Sequence, residues 1–212
     1  MATIINADTS DGLKFTSDTS GEIKLQSGGT DIATVDSSGI TMASGKAISG
    51  AGAGGKVLQV VQTVKTDTTS IASANTNTFV DLTGLSVSIT PSSTSSKILV
   101  SFTVSVGTSS GSLHINLVRS STNIAVGDSS GSRLVSTINH RPASIPYTLE
   151  TAPLSYTYLD SPNTTSATTY KLQGTLGSSY NSIFYINRSS DDTDADYGAR
   201  VTSTITVMEI AG

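Results

Sequence analysis

KILVSFTVSV, Lys97–Val106, decides the fold class. Ile98, Val100, Phe102, Val104 and Val106 fall on one face of an extended chain, and Leu99, Ser101, Thr103 and Ser105 fall on the other. A two-residue period sustained over a whole strand, in β-branched residues that fit a pleated surface, predicts a sheet with one buried side. The outer face, mostly hydroxyls with Leu99 among them, suits either solvent or a lightly polar contact with another subunit.

The pattern repeats downstream. Strands are expected at Val57–Thr66, Thr78–Leu82, Leu85–Ile89, Leu113–Leu117, Ile124–Val126, Leu134–Ile138, Tyr147–Leu149, Leu154–Leu159, Thr169–Leu176, Ser182–Asn187 and Val201–Ile210, separated by Gly, Ser, Pro and Asn. No segment keeps a helical period. Many short strands with regular turn signals point to an all-β sandwich or jelly roll.

Composition narrows the chemistry. Only 13% of the 212 residues are charged and Trp is absent, while Ser and Thr make up about a third of the chain, far above ordinary usage. The expected surface is polar but electrically quiet. With a net charge of −4 there is no basic footprint for nucleic acid. The absence of cysteine excludes disulfide scaffolds, Cys-ligated zinc, iron–sulfur clusters and thiol nucleophiles. Met1–Phe15 has neither the basic nor the apolar region of a secretory signal, and no apolar run approaches the ~20 residues of a membrane span. We expect no membrane insertion, and any role outside a cell to follow release within an assembled particle.

Residues 1–50 carry a shorter repeat. Apolar pairs two residues apart recur as Leu13/Phe15, Ile23/Leu25, Ile32 (or Ala33)/Val35 and Ile40/Met42, with Ser/Gly/Asp turns between them. Each unit offers a core about two side chains, roughly 3–5 kcal/mol of burial. Ordering about ten residues costs more, at ~1–2 kcal/mol each for the backbone. One copy should not fold alone; identical segments from symmetry-related chains are the economical partners. The alternative is a disordered polar leader. The Gly-rich stretch at 51–56 marks a boundary, giving a shaft at 1–50, a linker at 51–56 and a head at 57–212. Gly55-Lys56 runs into Val57, so the stretch lacks the G-K-[ST] of a phosphate-binding loop.

The order of segments is informative in itself: GKVLQVVQTVKTDT, then FVDLTGLSVSITPSSTSSKILVSFTVSVG, YLDSPNTTSATTYKLQG and TSTITVMEIAG. It resembles the C-terminal domain of bacteriophage fibre proteins, particularly those of marine and cyanobacterial phages. The earlier LKFTSDTSGEIKLQSGG and DIATVDSSGITMASG resemble the shaft repeats that precede that domain. The resemblance implies a homotrimeric tail fibre: an intertwined β shaft, then a jelly-roll head built like those of tumour necrosis factor or complement C1q. Such a head contacts a host surface glycan or outer-membrane protein during adsorption. The fibre belongs to the virion, is assembled in the host cytoplasm, and docks on other tail or adaptor proteins through its N-terminus. Only Met1–Asp11 precedes the first repeat, which leaves docking to this short peptide or to an adaptor, on the tail or the capsid. A purely structural head fibre or decoration protein is the alternative. A cytokine-like or C1q-like lectin of cellular origin is a third reading, opposed by the shaft repeats.

Candidate contacts follow from exposed loops and from side chains that suit sugars. His140 and Arg141 sit beside Pro142 in a loop, and loops carry binding function. Tyr147, Tyr156, Tyr158, Tyr180, Tyr185 and Tyr197 form most of the aromatic stock, suited to stacking on sugars as well as to core and interface. We take His140, Arg141, Tyr147, Tyr180 and Arg188 as receptor contacts. His114, between Leu113 and Ile115, is expected to face solvent or a subunit interface. Asp192, Asp194 and Asp196 echo a calcium loop, but Tyr197 stands at its glycine position and Ser203 at its bidentate glutamate, so a solvated acidic turn is expected. Asn163-Thr164-Thr165 and Asn187-Arg188-Ser189 match a glycosylation sequon by chance. With no G-x-S-x-G elbow and a chain too short for a glycan-cutting β-helix, no enzymatic activity and no cofactor are expected.

Overall fold

The computed structural model describes residues 21–46, 55–72, 77–108, 111–141, 149–177 and 183–212, and among them every regular element is a strand. The chain divides between Ala51 and Gly52 into two compact units.

The first unit is an antiparallel meander of β1 (Ile23–Ser27), β2 (Thr30–Asp36) and β3 (Gly39–Met42). Gly28 and Gly29 both have positive φ, 59° and 77°, as a two-residue hairpin turn whose twist matches its strands requires. The second turn is held by Asp36, whose carboxylate accepts from Ser38 N at 2.7 Å and Ser38 Oγ at 2.6 Å. Register places Ile23, Val35 and Ile40 in one cross-strand row and Leu25, Ala33 and Met42 in the next. Those rows are the apolar repeat of the sequence; Ala33 is buried, but Leu25 is 51% and Ile40 65% exposed. Leu13 and Phe15 lie outside the described residues.

The second unit consists of β4 (Val57–Lys65), β5 (Thr69–Ile71), β6 (Val80–Ile89), β7 (Lys97–Thr108), β8 (Leu113–Arg119), β9 (Thr122–Ile124), β10 (Ile138–His140), β11 (Ala152–Asp160), β12 (Thr168–Leu176), β13 (Phe184–Ile186) and β14 (Ser203–Ile210). Both β11 and β14 pair with Phe102, so they flank β7 on opposite sides. Both β11 and β13 pair with Val106, so β13 and β14 lie end to end along the same side. They pair onward with β5 and β4 respectively. In the second sheet β8 has β12 on one side, and on the other β10 followed by β9; β6 closes that sheet beyond β12. Each sheet is thus four strands wide: β4/β5, β14/β13, β7, β11 in one and β6, β12, β8, β9/β10 in the other.

The two sheets bury one core. Ile98, Val100, Phe102, Val104 and Val106 are all 1% exposed or less, and they meet Leu85, Val87, Leu113, Ile115, Leu117, Tyr170 and Leu172 from the opposite sheet. Gly174 belongs to this packing: a Cβ there would lie 2.9 Å from the Phe184 ring and 3.0 Å from Leu82 Cδ2, so only glycine lets the ring seat. Tyr170 is fully buried, whereas Tyr197 is exposed.

Three expectations about strands are corrected. Thr78–Leu82 and Leu85–Ile89 are one strand, β6, whose inward parity changes between Leu82 and Leu85. A register slip opposite Lys171–Gln173 and φ +85° at Gly84 mark a bulge there. Leu134–Ile138 is not a strand; pairing begins at Ile138. Its neighbour Thr137 is held by single hydrogen bonds instead, donating its N–H to Ile115 O and Asn116 Oδ1 and accepting from Leu117 N at its hydroxyl. Ile124–Val126 is displaced, the strand being Thr122–Ile124, and β5, too short to show a period, was not expected.

The outer face of β7 is organised by register. Val60, Met208, Leu99 and Leu159 align across four strands, the two end members 55% and 51% exposed. The adjacent row, Gln62, Thr206, Ser101 and Thr157, is polar: Gln62 Nε2 donates to Thr206 Oγ1 at 2.7 Å and Thr157 Oγ1 to Ser101 Oγ at 3.3 Å.

Three polar side chains that enter the interior, Asn187, Asp160 and Glu209, are held by several hydrogen bonds each. Asn187, left-handed at φ 64°, donates from Nδ2 to the carbonyls of Lys65 and Asp67 at 2.9 Å and accepts from Ser203 Oγ. Its own N–H reaches Ser105 O, so it stitches β4, β7 and β14 where β13 ends. Asp160 accepts from Tyr170 Oη at 2.7 Å and from Arg119 Nη1 at 2.9 Å, clipping β11 to β12 and β8. Burial, the hydrogen bond to Asp160 and its negative charge all push the Tyr170 phenol far above its ordinary value. Glu209, fully buried, accepts from Ser92 N, Ser92 Oγ and Gln59 Nε2 at 2.6–2.7 Å. Burial is the largest single influence on its carboxyl and favours protonation, but the hydrogen bonds together outweigh it and hold the pKa down to about 2.

Glu209→Gln should therefore cost about 2–4 kcal/mol, because its amide NH2 would face groups that themselves donate. In a domain of this size that lowers Tm by roughly 4–16 °C. A folded pKa near 2, below the ordinary 4.5, means that the unfolded chain binds the proton first as pH falls. The stabilisation is complete above pH 4.5 and is lost towards pH 2. Urea titrations followed by circular dichroism should show the gap between wild type and E209Q closing over that window; a gap independent of pH would refute an ionised Glu209.

Candidate functional site

At one end of the second sheet the chain leaves an open cavity of about 700 Å³. Its floor is the start of β8, where Ser112 and His114 project away from the core because Leu113 and Ile115 project into it. Asn139, paired with His114 across β8 and β10, and Arg141 just beyond form one wall. Ser132, Arg133, Leu134 and Ser136 form another, from the loop at 125–137 between β9 and β10. Gly177 and Asn77 close the end: Gly177 N donates to Ser112 O and Asn77 N to Leu176 O. A Cβ at Gly177 would lie 3.4 Å from His114 Nε2, so glycine keeps that ring nitrogen accessible.

The loop is positioned at both ends. Thr137 ties it to β8 as described, and Gly127 N donates to Ser136 O. Arg133 lies in a turn in which its N–H donates to Ser130 O and its Nη1 to Ser130 Oγ at 2.9 Å. His114 Nδ1 lies 3.3 Å from Ser136 Oγ. Burial pushes the His114 imidazole below its ordinary 6.5, so at neutral pH the ring is uncharged and presents one donor and one acceptor.

The charge of the cavity follows from the pairing of the arginines. The chain has five. Arg119 pairs with Asp160, and Arg188 and Arg200 with Asp192. The remaining two, Arg133 and Arg141, have no carboxylate partner among the described residues, and both line the cavity. Among the described residues no carboxylate lines it. A chain of net charge −4 thus brings to one polar recess the two guanidinium groups that have no carboxylate partner among the described residues.

Of the expected contacts, Arg141 belongs to this site. His140 does not: one residue along β10 from Asn139, it turns towards Glu150, 3.9 Å away. Arg188 lies elsewhere, stacked 4.0 Å over the Tyr185 ring and donating to Ser189 O. Tyr147 and Tyr180 lie outside the described residues. Asp192 is engaged by Arg200 at 2.8 Å and Arg188 at 3.8 Å, while Asp194 and Asp196 are exposed. Among the described residues no group of three His, Cys, Asp or Glu side chains could hold a metal. The sequence reading passed over Arg133, Asn139, Ser112 and Ser136. The alternation that set His114 off the core was the usable signal; nothing local joined it to Arg133.

No protein-family model matches the chain, and no curated protein matches it.

His114 should titrate below 6.5. With two histidines in the chain, His140→Asn leaves one imidazole to follow by NMR. A midpoint at or above 6.5 would contradict the buried, neutral ring.

Proposed function

We propose that the chain is a virion fibre protein, the homotrimeric tail fibre of a bacteriophage, whose C-terminal domain binds a host cell-surface receptor during adsorption. The observation that carries this reading is the strand order. Numbered along the chain with end-to-end strands taken together, the eight columns run 1-8-3-6 in one sheet and 2-7-4-5 in the other. That permutation supports a jelly roll, the build implied by the resemblance to phage fibre heads. The apolar rows of β1–β3, left half exposed in a single copy, support a shaft completed by identical chains. The row Val60, Met208, Leu99, Leu159 supports a second contact between copies, within the head.

The cavity at the β8–β10 end is the receptor site of this proposal. It is polar, open and bordered by a loop, and its described lining holds no pair of carboxylates for hydrolysis. Non-covalent capture of a surface glycan is the chemistry it suits, with avidity from several fibres raising a modest affinity per head. The N-terminus is then the docking segment for tail or adaptor proteins.

Native mass spectrometry of the full chain should give three times 21.7 kDa. Leu25→Asp together with Ile40→Asp should reduce that assembly, since each places a charge in the apolar rows. A monodisperse monomer in the wild type would overturn the trimer. Labelled protein should decorate host bacteria and compete with virion adsorption; failure to bind any cell at virion-like valency would overturn the receptor reading.

A further inference from the structure

We infer that the cavity beside β8 and β10 takes an anionic saccharide, a sugar unit carrying a carboxylate or sulfate, with Arg133 and Arg141 as the anion clamp. This rests on the receptor reading above and names the ligand class of the same site.

Three observations converge. First, the selection of arginines is not incidental: the three that pair with aspartate lie outside the cavity, and the two without such a partner among the described residues line it. A guanidinium offers five N–H donors in a planar fork that matches carboxylate or sulfate oxygens, and Arg133 spends one nitrogen on Ser130 Oγ. Second, the rest of the lining suits hydroxyl groups. Asn77 and Asn139 amides, serine hydroxyls and the uncharged His114 ring supply both donors and acceptors, as a sugar ring requires. Third, the described lining is polar, with Leu134 its one large apolar residue. A polar lining with two guanidinium groups favours charge-assisted hydrogen bonds to an anionic sugar. At about 700 Å³ the recess accommodates one or two sugar units.

The test uses the full chain on biolayer sensors coated with polygalacturonate, the same polymer with its carboxyls methyl-esterified, dextran sulfate, or dextran. Arg133→Gln/Arg141→Gln is the test variant. Arg200→Gln, outside the cavity, is the control for loss of a guanidinium elsewhere on the surface, and all variants are checked by circular dichroism. The expected result is binding to polygalacturonate or dextran sulfate, with the stronger of the two identifying the anion. Binding should be weakened at least 10-fold in the double variant, unchanged in R200Q, and absent on the esterified polymer and dextran. Equal binding to neutral and acidic polymers, or acidic binding that survives the double variant, overturns the inference. Adsorption to host cells is measured in parallel. Cell binding unaffected by acidic polymers and by the double variant overturns the anionic ligand and leaves the receptor reading standing. Acidic-polymer binding lost in the double variant, with no cell binding at all, supports the ligand class and removes the receptor role.

Discussion

The second unit depends on the row Ile98, Val100, Phe102, Val104, Val106, sealed from water and flanked by paired strands on both sides. A strand in that position satisfies its backbone groups in both directions while one face enters the core. Its neighbours must therefore supply complementary register along its whole length. On one side β11 does so alone. On the other the requirement is split between β14 and β13, and where one gives way to the other the ladder is broken. Asn187 repairs that break: its left-handed backbone and its amide take up the groups that neither strand end can pair. The apparent glycosylation motif at Asn187-Arg188-Ser189 thus contains a buried structural asparagine.

The other interior polar groups act at the borders of the sandwich. Asp160 receives a phenol and a guanidinium from two strands of the facing sheet, and Glu209 gathers donors from β4 and from the turn after β6. Each carboxylate is held by several hydrogen bonds, the condition under which burying a charge is tolerated. They also fix alignment. Sliding either sheet by one residue would leave such a charge unpaired, a stronger penalty than an apolar mismatch.

The first unit follows the opposite logic. Its turns are well made and its register is set by Gly28–Gly29 and Asp36, yet of its apolar rows Leu25 and Ile40 are left exposed. Local hydrogen bonding draws the meander without burying these large apolar side chains. In the second unit the cavity is a consequence of the same alternation that builds the core: whatever packs Leu113 and Ile115 inward sets Ser112 and His114 outward.

Period-two alternation and turn residues were enough to determine the all-β class, the inner row of β7 and the apolar repeat of the first unit, because these depend on neighbours one or two residues apart. They also set His114 off the core. The single strand at Val80–Ile89 was not legible, since a bulge at Gly84 reverses the parity that marks a strand, and neither was the loop at 134–137, whose spacing imitates one. The adjacency of Arg133 and Arg141, the turning of His140 away from them, and the pairing of Asp192 with Arg200 were decided only by tertiary structure. Each depends on which strand lies beside which, and strand order is set by the packing of two whole sheets, a property that no local window of sequence contains.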